Sequence, residues 1–250
     1  MNENYRHRQL LNLLDEHKVL STTEIIKLLN ISPATARRDI TKLNDQGRLR
    51  KVRNGAESIK NSYSFKIHDS GYISNIAEKQ RIAEAASKLC QDGESIVLTC
   101  GSTMLMLGSH LCGRKLQIIT NFLPLANHLI ENDHDDVVIM GGQYHKNKAV
   151  TLSLSSQNES MYAANTMFTS GKGITTDGLY KTDMVIANSE QRILPKVNKL
   201  VVLLDSSKLG QQVGMLFSRL DNIDILITDK KADPIIIQEL RDKGLEIILA

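Results

Sequence analysis

Apolar residues near the start of the chain recur at helical spacing, in short stripes separated by polar breaks. Leu10, Leu11, Leu13 and Leu14 mark a first helix over about residues 5–16. Ser21 then opens Ser-Thr-Thr-Glu, a capping box in which Ser21 and Glu24 satisfy each other's backbone amides. The helix it starts is expected to bury Ile25, Leu28 and Leu29. After the short turn Asn30-Ile31-Ser32, Ser32 is the next N-cap, with Pro33 at the first helical position. The third helix turns Ala36, Ile40 and Leu43 inward, at spacings of four and three. Two capped helices joined by so short a turn form a helix-turn-helix. The segment from Gly47 to Ala56 predicts a two-strand hairpin, a wing with Asn54-Gly55 at its tip.

The pattern changes beyond residue 60. Residues 61–75 are polar and unpatterned, which predicts a linker. A helix carrying Ile82, Ala86 and Leu89 follows, ended by Asp92-Gly93. Short apolar runs come next, over 95–99, 117–120, 137–140, 199–204, 223–228 and 245–249, with helical stretches between most of them. Such alternation predicts an α/β domain built on a mostly parallel sheet covered on both faces. The expected organisation is therefore a winged helix-turn-helix over 1–59, a linker over 60–76 and an α/β domain over 77–250.

Charge sharpens the picture at the N-terminal end. The chain carries +3 overall, but residues 1–60 hold 12 Lys and Arg against 7 Asp and Glu, and the remainder holds 19 against 21. A basic head suits a DNA-binding module. The N-terminal part of the third helix can enter a major groove, where Thr35 and Arg38 are placed for base edges and Arg37 and Lys42 for phosphates. Ser32, at the cap, belongs to the same surface. Arg50, Lys51 and Arg53 stud the wing, which would lie along the DNA backbone. A single winged helix makes few contacts, so a homo-oligomer of at least two copies, reading two half-sites of double-stranded DNA, is expected.

In the α/β domain, ligands gather where parallel strands end. Those ends carry Cys100-Gly101-Ser102-Thr103, Asn121, Gly141-Gly142 and Asp205-Ser206-Ser207-Lys208. Gly101, Ser102 and Thr103 lead into a helix whose free N–H groups favour a phosphate, with Lys172 or Lys208 to neutralise it. Asn121 and Asp205 are candidates for ligand hydroxyls. Phe122, Tyr144 and Phe168 abut strand ends and are read as core closures. His128, His134, Asp135, Asp136 and His145 lack fixed ligand spacing and read as a polar loop, so no metal and no cofactor is expected. No apolar run approaches the ~20 residues that span a bilayer, and no secretion signal follows Met1. Cys90, Cys100 and Cys112 read as reduced thiols, which fits a cytoplasmic protein.

The block Ile31-Ser32-Pro33-Ala34-Thr35-Ala36-Arg37-Arg38-Asp39-Ile40, followed by Val52-Arg53-Asn54-Gly55-Ala56-Glu57, resembles the DeoR family of bacterial repressors. The likeness runs on through Gly101-Ser102-Thr103, Thr120-Asn121, Gly141-Gly142 and Asp205-Ser206-Ser207-Lys208. It implies a sensor domain related to sugar-phosphate isomerases, and release of DNA when a phosphorylated sugar binds. Longer blocks, Leu123-Pro124-Leu125-Ala126-Asn127 and Gly178-Leu179-Tyr180-Lys181-Thr182-Asp183-Met184 among them, resemble the branch concerned with L-ascorbate use. That branch implies L-ascorbate 6-phosphate as effector. Against the wider family, Cys100 stands where many members have Asp, and Tyr180-Lys181 where an acidic residue is usual. Both departures remove negative charge, which suits an acidic ligand. A sugar-phosphate isomerase is the enzyme alternative, but it needs a carboxylate or His to move a proton, and a DNA-reading head has no use in one.

Overall fold

The computed structural model describes residues 3–17, 19–58, 74–153 and 161–250. It divides into two compact units, Met1–Ser64 and Phe65–Ala250. The linker expected over 60–76 lies, up to residue 73, outside the described residues, and Ile76 already opens a helix.

In the first unit, α1 (Glu3–His17), β1 (Val19–Ser21), α2 (Thr22–Leu29) and α3 (Pro33–Asp45) precede β2 (Arg50–Val52) and β3 (Gly55–Glu57). The two caps form as expected: Glu24 N–H donates to Ser21 Oγ at 3.2 Å, Ser21 N–H returns a bond to Glu24 at 2.8 Å, and Thr35 N–H donates to Ser32 Oγ at 3.2 Å. Leu10, Leu14, Leu20, Ile25, Leu29, Ala36, Ile40, Leu43, Leu49 and Ala56 make one core. Leu28, expected inside, is 50% exposed, because the two-turn α2 spends a single stripe, Ile25 and Leu29, on that core.

The wing is a three-stranded antiparallel sheet of order β1-β3-β2 rather than a lone hairpin. Val52 pairs with Gly55, so the loop residues are Arg53 and Asn54, with Asn54 at φ +62°; the tip is one residue earlier than expected. Gly55 belongs to β3. A Cβ there would lie 2.2 Å from the Leu20 carbonyl oxygen, so glycine is what lets β1 close against the hairpin.

The second unit centres on a sheet of seven parallel strands. After α4 (Ile76–Ser87) come β4 (Ser95–Leu98), α5 (Ser102–Leu111), β5 (Gln117–Thr120), α6 (Leu123–Glu131) and β6 (Asp136–Ile139). A short hairpin, β7 (Gln143–His145) and β8 (Val150–Leu152), precedes β9 (Ala164–Thr169). Then follow β10 (Gly173–Thr175), β11 (Gly178–Lys181), α7 (Met184–Gln191), β12 (Val197–Leu203), β13 (Met215–Arg219), β14 (Ile225–Thr228), α8 (Pro234–Asp242) and β15 (Glu246–Leu249). Each of the six apolar runs coincides with a sheet strand to within two residues. One core packs α4, α5 and α6 on one face; the other packs α7, α8 and the small antiparallel sheet β10-β11-β13 on the opposite face.

The chain lays β4, β5 and β6 outward to one edge, returns to the middle with β9, and builds β12, β14 and β15 to the other edge. The direction reverses between β4 and β9, and a crevice forms outside the strand ends at such a reversal. Phe122 and Phe168 are buried as expected, whereas Tyr144 on β7 is 40% exposed and closes no core. No helix among the described residues is long and apolar enough to cross a membrane. All three cysteines are free.

Candidate functional site

Two surfaces carry the candidate residues, one in each unit. In the first, the inward side of α3 is anchored by a charge. Asp39 is 1% exposed and accepts bonds from Arg6, with Nη2 at 3.0 Å, and from His7 Nε2 at 3.1 Å. Burial alone would push this carboxyl up, but the bonds from Arg6 and His7 hold it below the usual carboxylate range. The α1 helix is thereby tied to the buried face of α3. In the sequence Asp39 stands out only as part of the block from Ile31 to Ile40, because its partners lie 32 and 33 positions away.

On the outward side of α3, Arg37, Arg38, Thr41, Lys42, Asp45 and Gln46 line a shallow groove. Thr35 is half-buried and its hydroxyl lies 2.8 Å from that of Ser32, so both are tied to the cap. Lys42 pairs with Glu3, and Arg50 pairs with Glu57 across the wing. Lys51 docks the wing onto α3: its N–H donates to Asn44 Oδ1 at 2.9 Å and its Nζ to Thr41 Oγ1 at 3.1 Å. Among the described residues Arg37, Arg38 and Arg53 are exposed and carry no ion pair, which leaves their guanidinium groups available to an anionic partner.

The second surface is a cavity of about 350 Å³ at the strand-order reversal. Gly101, Ser102, Thr103, Lys172, Asp205 and Lys208 all line it, as do Ser74, Lys79, Cys100, Lys181, Asp183 and Glu190. Gly101 caps α5 at φ +135°, a conformation that side chains rarely adopt, and it presents the first free N–H groups of α5 to the cavity. Asp205, 3% exposed, accepts from Asn75 Nδ2 at 2.8 Å and from the Ser207 hydroxyl, and lies 3.9 Å from Lys79 Nζ. Burial pushes Lys79 below the ordinary lysine range; Asp205 opposes this, while Lys208 and Lys172 push the same way. Three lysines held around one carboxylate at a helix N-terminus favour an anion with more than one negative charge.

A second polar cluster shares the cavity. Lys181 Nζ donates to Thr169 Oγ1 at 2.7 Å and to Glu190, and sits 4.2 Å from the centre of the Phe217 ring. Tyr180-Lys181 was expected to leave the cavity with less negative charge, but Glu190 supplies a carboxylate directly beside Lys181. Burial pushes the Cys100 thiol up to about 12, so it is neutral at pH 7.

Asn121, Gly141 and Gly142 do not line this cavity. They end β5 and β6, on the edge side of the reversal, where the β7-β8 hairpin covers them. Thr151 N–H donates to the Asn121 carbonyl at 2.9 Å, Leu123 N–H to Ala149 at 3.0 Å, and a Cβ on Gly142 would lie 2.1 Å from the Leu152 oxygen. The histidines weighed as metal ligands do not converge either; among the described residues no three His, Cys, Asp or Glu side chains come together.

Comparison with known proteins matches residues 6–62 to the DeoR-like helix-turn-helix domain and residues 74–230 to the DeoR C terminal sensor domain. The chain belongs to the DeoR family. Relatives named HTH-type transcriptional regulator UlaR, from Shigella sonnei and from Escherichia coli K12 / DH10B, are each 52% identical over 252 residues, covering 99% of both chains. Among solved structures, ribose 5-phosphate isomerase A from Methanocaldococcus jannaschii aligns with 56% of this chain and 57% of its own, at 22% identity and a TM-score of 0.42. This DeoR-family chain is thus a DNA-binding regulator.

Proposed function

We propose that this protein represses a sugar-acid utilisation operon, that of L-ascorbate, and leaves its operator when L-ascorbate 6-phosphate occupies the body cavity. The observation that carries the reading is that Lys79, Lys172 and Lys208 line one cavity together with Gly101, Ser102 and Thr103 at the start of α5. The phosphate sits there, and the remaining cavity takes the sugar acid. The 52% identical relatives are named as HTH-type transcriptional regulators, which supports the regulatory part of the reading. Release requires the effector to prefer the non-operator arrangement, and a tenfold loss of operator affinity needs about 1.4 kcal/mol of preference. In a gel-shift titration, L-ascorbate 6-phosphate frees the operator at concentrations where ascorbate itself leaves it bound. Equal release by the two compounds refutes the phosphate site.

At the head, Arg38 reads a base edge and Lys51 contacts a phosphate. Arg38→Ala costs about 1–3 kcal/mol on the operator and relaxes one base position. Lys51→Ala weakens operator and random DNA alike and lowers the salt slope by about 1. Measured binding unchanged in both variants would remove this surface from the DNA contact. Two half-sites are read by a dimer or larger homo-oligomer, which a one-chain mass in light scattering would exclude.

The second reading, sugar-phosphate isomerisation, rests on Asp205 and Glu190 in one cavity with a phosphate-binding end. We favour binding over turnover because Asp205 is held by Asn75, Ser207 and Lys79, and Glu190 is fixed through one oxygen by Lys181 and Thr169. Aldose–ketose conversion of pentose phosphates above background would reverse that choice.

A further inference from the structure

Glu190 is 2% exposed and lines the cavity, yet its two oxygens are unequal. Oε2 accepts from Lys181 Nζ and from the Thr169 hydroxyl at 3.1 Å. Oε1 is buried and has no hydrogen-bond partner among the described residues. The donors that hold Oε2 are already committed. Lys181 directs its ammonium to Thr169, to Glu190 Oε2 and to the Phe217 ring face. Because a carboxylate only accepts, Thr169 donates its one hydroxyl proton to Glu190, which leaves the Thr99 hydroxyl, 3.2 Å away, to donate to Thr169. A buried carboxylate oxygen left this way is costly unless a ligand supplies the missing donor.

We infer that Glu190 Oε1 accepts a hydroxyl of the bound effector, so that the cavity selects a hydroxylated phosphate over a bare or alkyl phosphate. This rests on the phosphate reading above and adds to it the chemistry of the rest of the ligand. The lysines around α5 bind any phosphate; Glu190 requires an O–H on the carbon skeleton attached to it. A carbonyl or ether oxygen in that place meets an acceptor and is rejected. The Lys181–Thr169–Thr99 network is a positioning device: it fixes one Glu190 oxygen and leaves the other for the ligand.

The test is calorimetric titration of the full-length protein and of Glu190→Gln with inorganic phosphate, n-butyl phosphate and L-ascorbate 6-phosphate. Glutamine keeps the shape and, with its oxygen turned to Lys181 and Thr169, presents an NH₂ donor where the acceptor was. The expected result is a loss of about ten- to a hundredfold in affinity for L-ascorbate 6-phosphate, with the other two probes unchanged within about twofold. Should Glu190→Gln fail to fold, the unaltered protein still decides, since it must prefer L-ascorbate 6-phosphate to n-butyl phosphate by at least about tenfold. Equal binding of those two, or an equal loss for all three probes in the variant, overturns the role of Glu190 while leaving the phosphate site standing. Binding of none of the three removes the phosphate reading and this inference with it.

Discussion

Asp39→Ala will unfold most of the N-terminal unit and abolish operator binding, while effector binding by the other unit persists. Asp39 is the acceptor that ties Arg6 and His7 of α1 to the buried face of α3. Removing one partner of a buried charge pair costs about 3–5 kcal/mol. A unit of this size is expected to hold only about 3–9 kcal/mol in all. Calorimetry of the full chain should lose its head transition and keep its body transition. The same carboxylate gives the head an acid limit. Its folded pKa is depressed, so its contribution is complete above the unfolded value of about 3.9 and is lost as pH falls through the lower folded value. Head stability should therefore rise with pH across that window in the natural protein, and the rise should be missing in Asp39→Asn. A head that melts normally in Asp39→Ala would show that the link between α1 and α3 is carried by the apolar core alone.

What could be read along the chain follows from how each element is held. The two caps of the helix-turn-helix were legible to the residue, because capping is local chemistry: Ser21, Glu24, Ser32 and Pro33 lie within three positions of the groups they serve. β1 was not, since Val19–Ser21 is three residues long and becomes a strand only by pairing with Ala56 and its neighbours. In the body, six of the seven sheet strands showed as apolar runs. The central strand β9 did not, because Asn165 and Thr166 interrupt its run; its place is secured by parallel pairing to β4 and β12 on both sides. Its Thr169 side chain is buried yet polar because it bonds Lys181 and Glu190.

The cavity was half legible for a related reason. Strand-end chemistry singles out β4 and β12, whose following residues line the cavity because both strands flank β9 beside the reversal. It also singled out Asn121 and Gly141-Gly142, because nothing local reveals that a hairpin covers the ends of β5 and β6. Glu190 and Lys181 meet across the cavity only through the packing of α7 beside β9 and β11. Lys79 leaves no strand-end signal at all, because it arrives from α4.

That missed lysine carries the second large effect. Lys79→Met should weaken L-ascorbate 6-phosphate by about 1.5–3 kcal/mol, roughly ten- to 150-fold, the usual worth of a bond between charged partners. Lys79 is 12% exposed, donates to the Ser74 carbonyl at 2.8 Å and stands beside Asp205, Lys172 and Lys208. Its charge is disfavoured in the free protein by burial and by those two lysines, so removing it should leave the unliganded body as stable as before, or more so. The sign can be checked by pH. Because the folded pKa of Lys79 is lowered, body stability rises as pH rises from that value toward the unfolded one near 10.4, and Lys79→Met should lack this increment. Operator affinity without effector should be unchanged, since Lys79 lies in the effector-sensing unit. Two outcomes separate a phosphate ligand from a structural brace. Thermal shift by L-ascorbate 6-phosphate disappearing from a variant that melts no lower than the natural protein assigns Lys79 to the phosphate. A lower melting temperature with an undiminished ligand shift assigns it to Asp205 instead, as a partner that holds the loop after β12 in place.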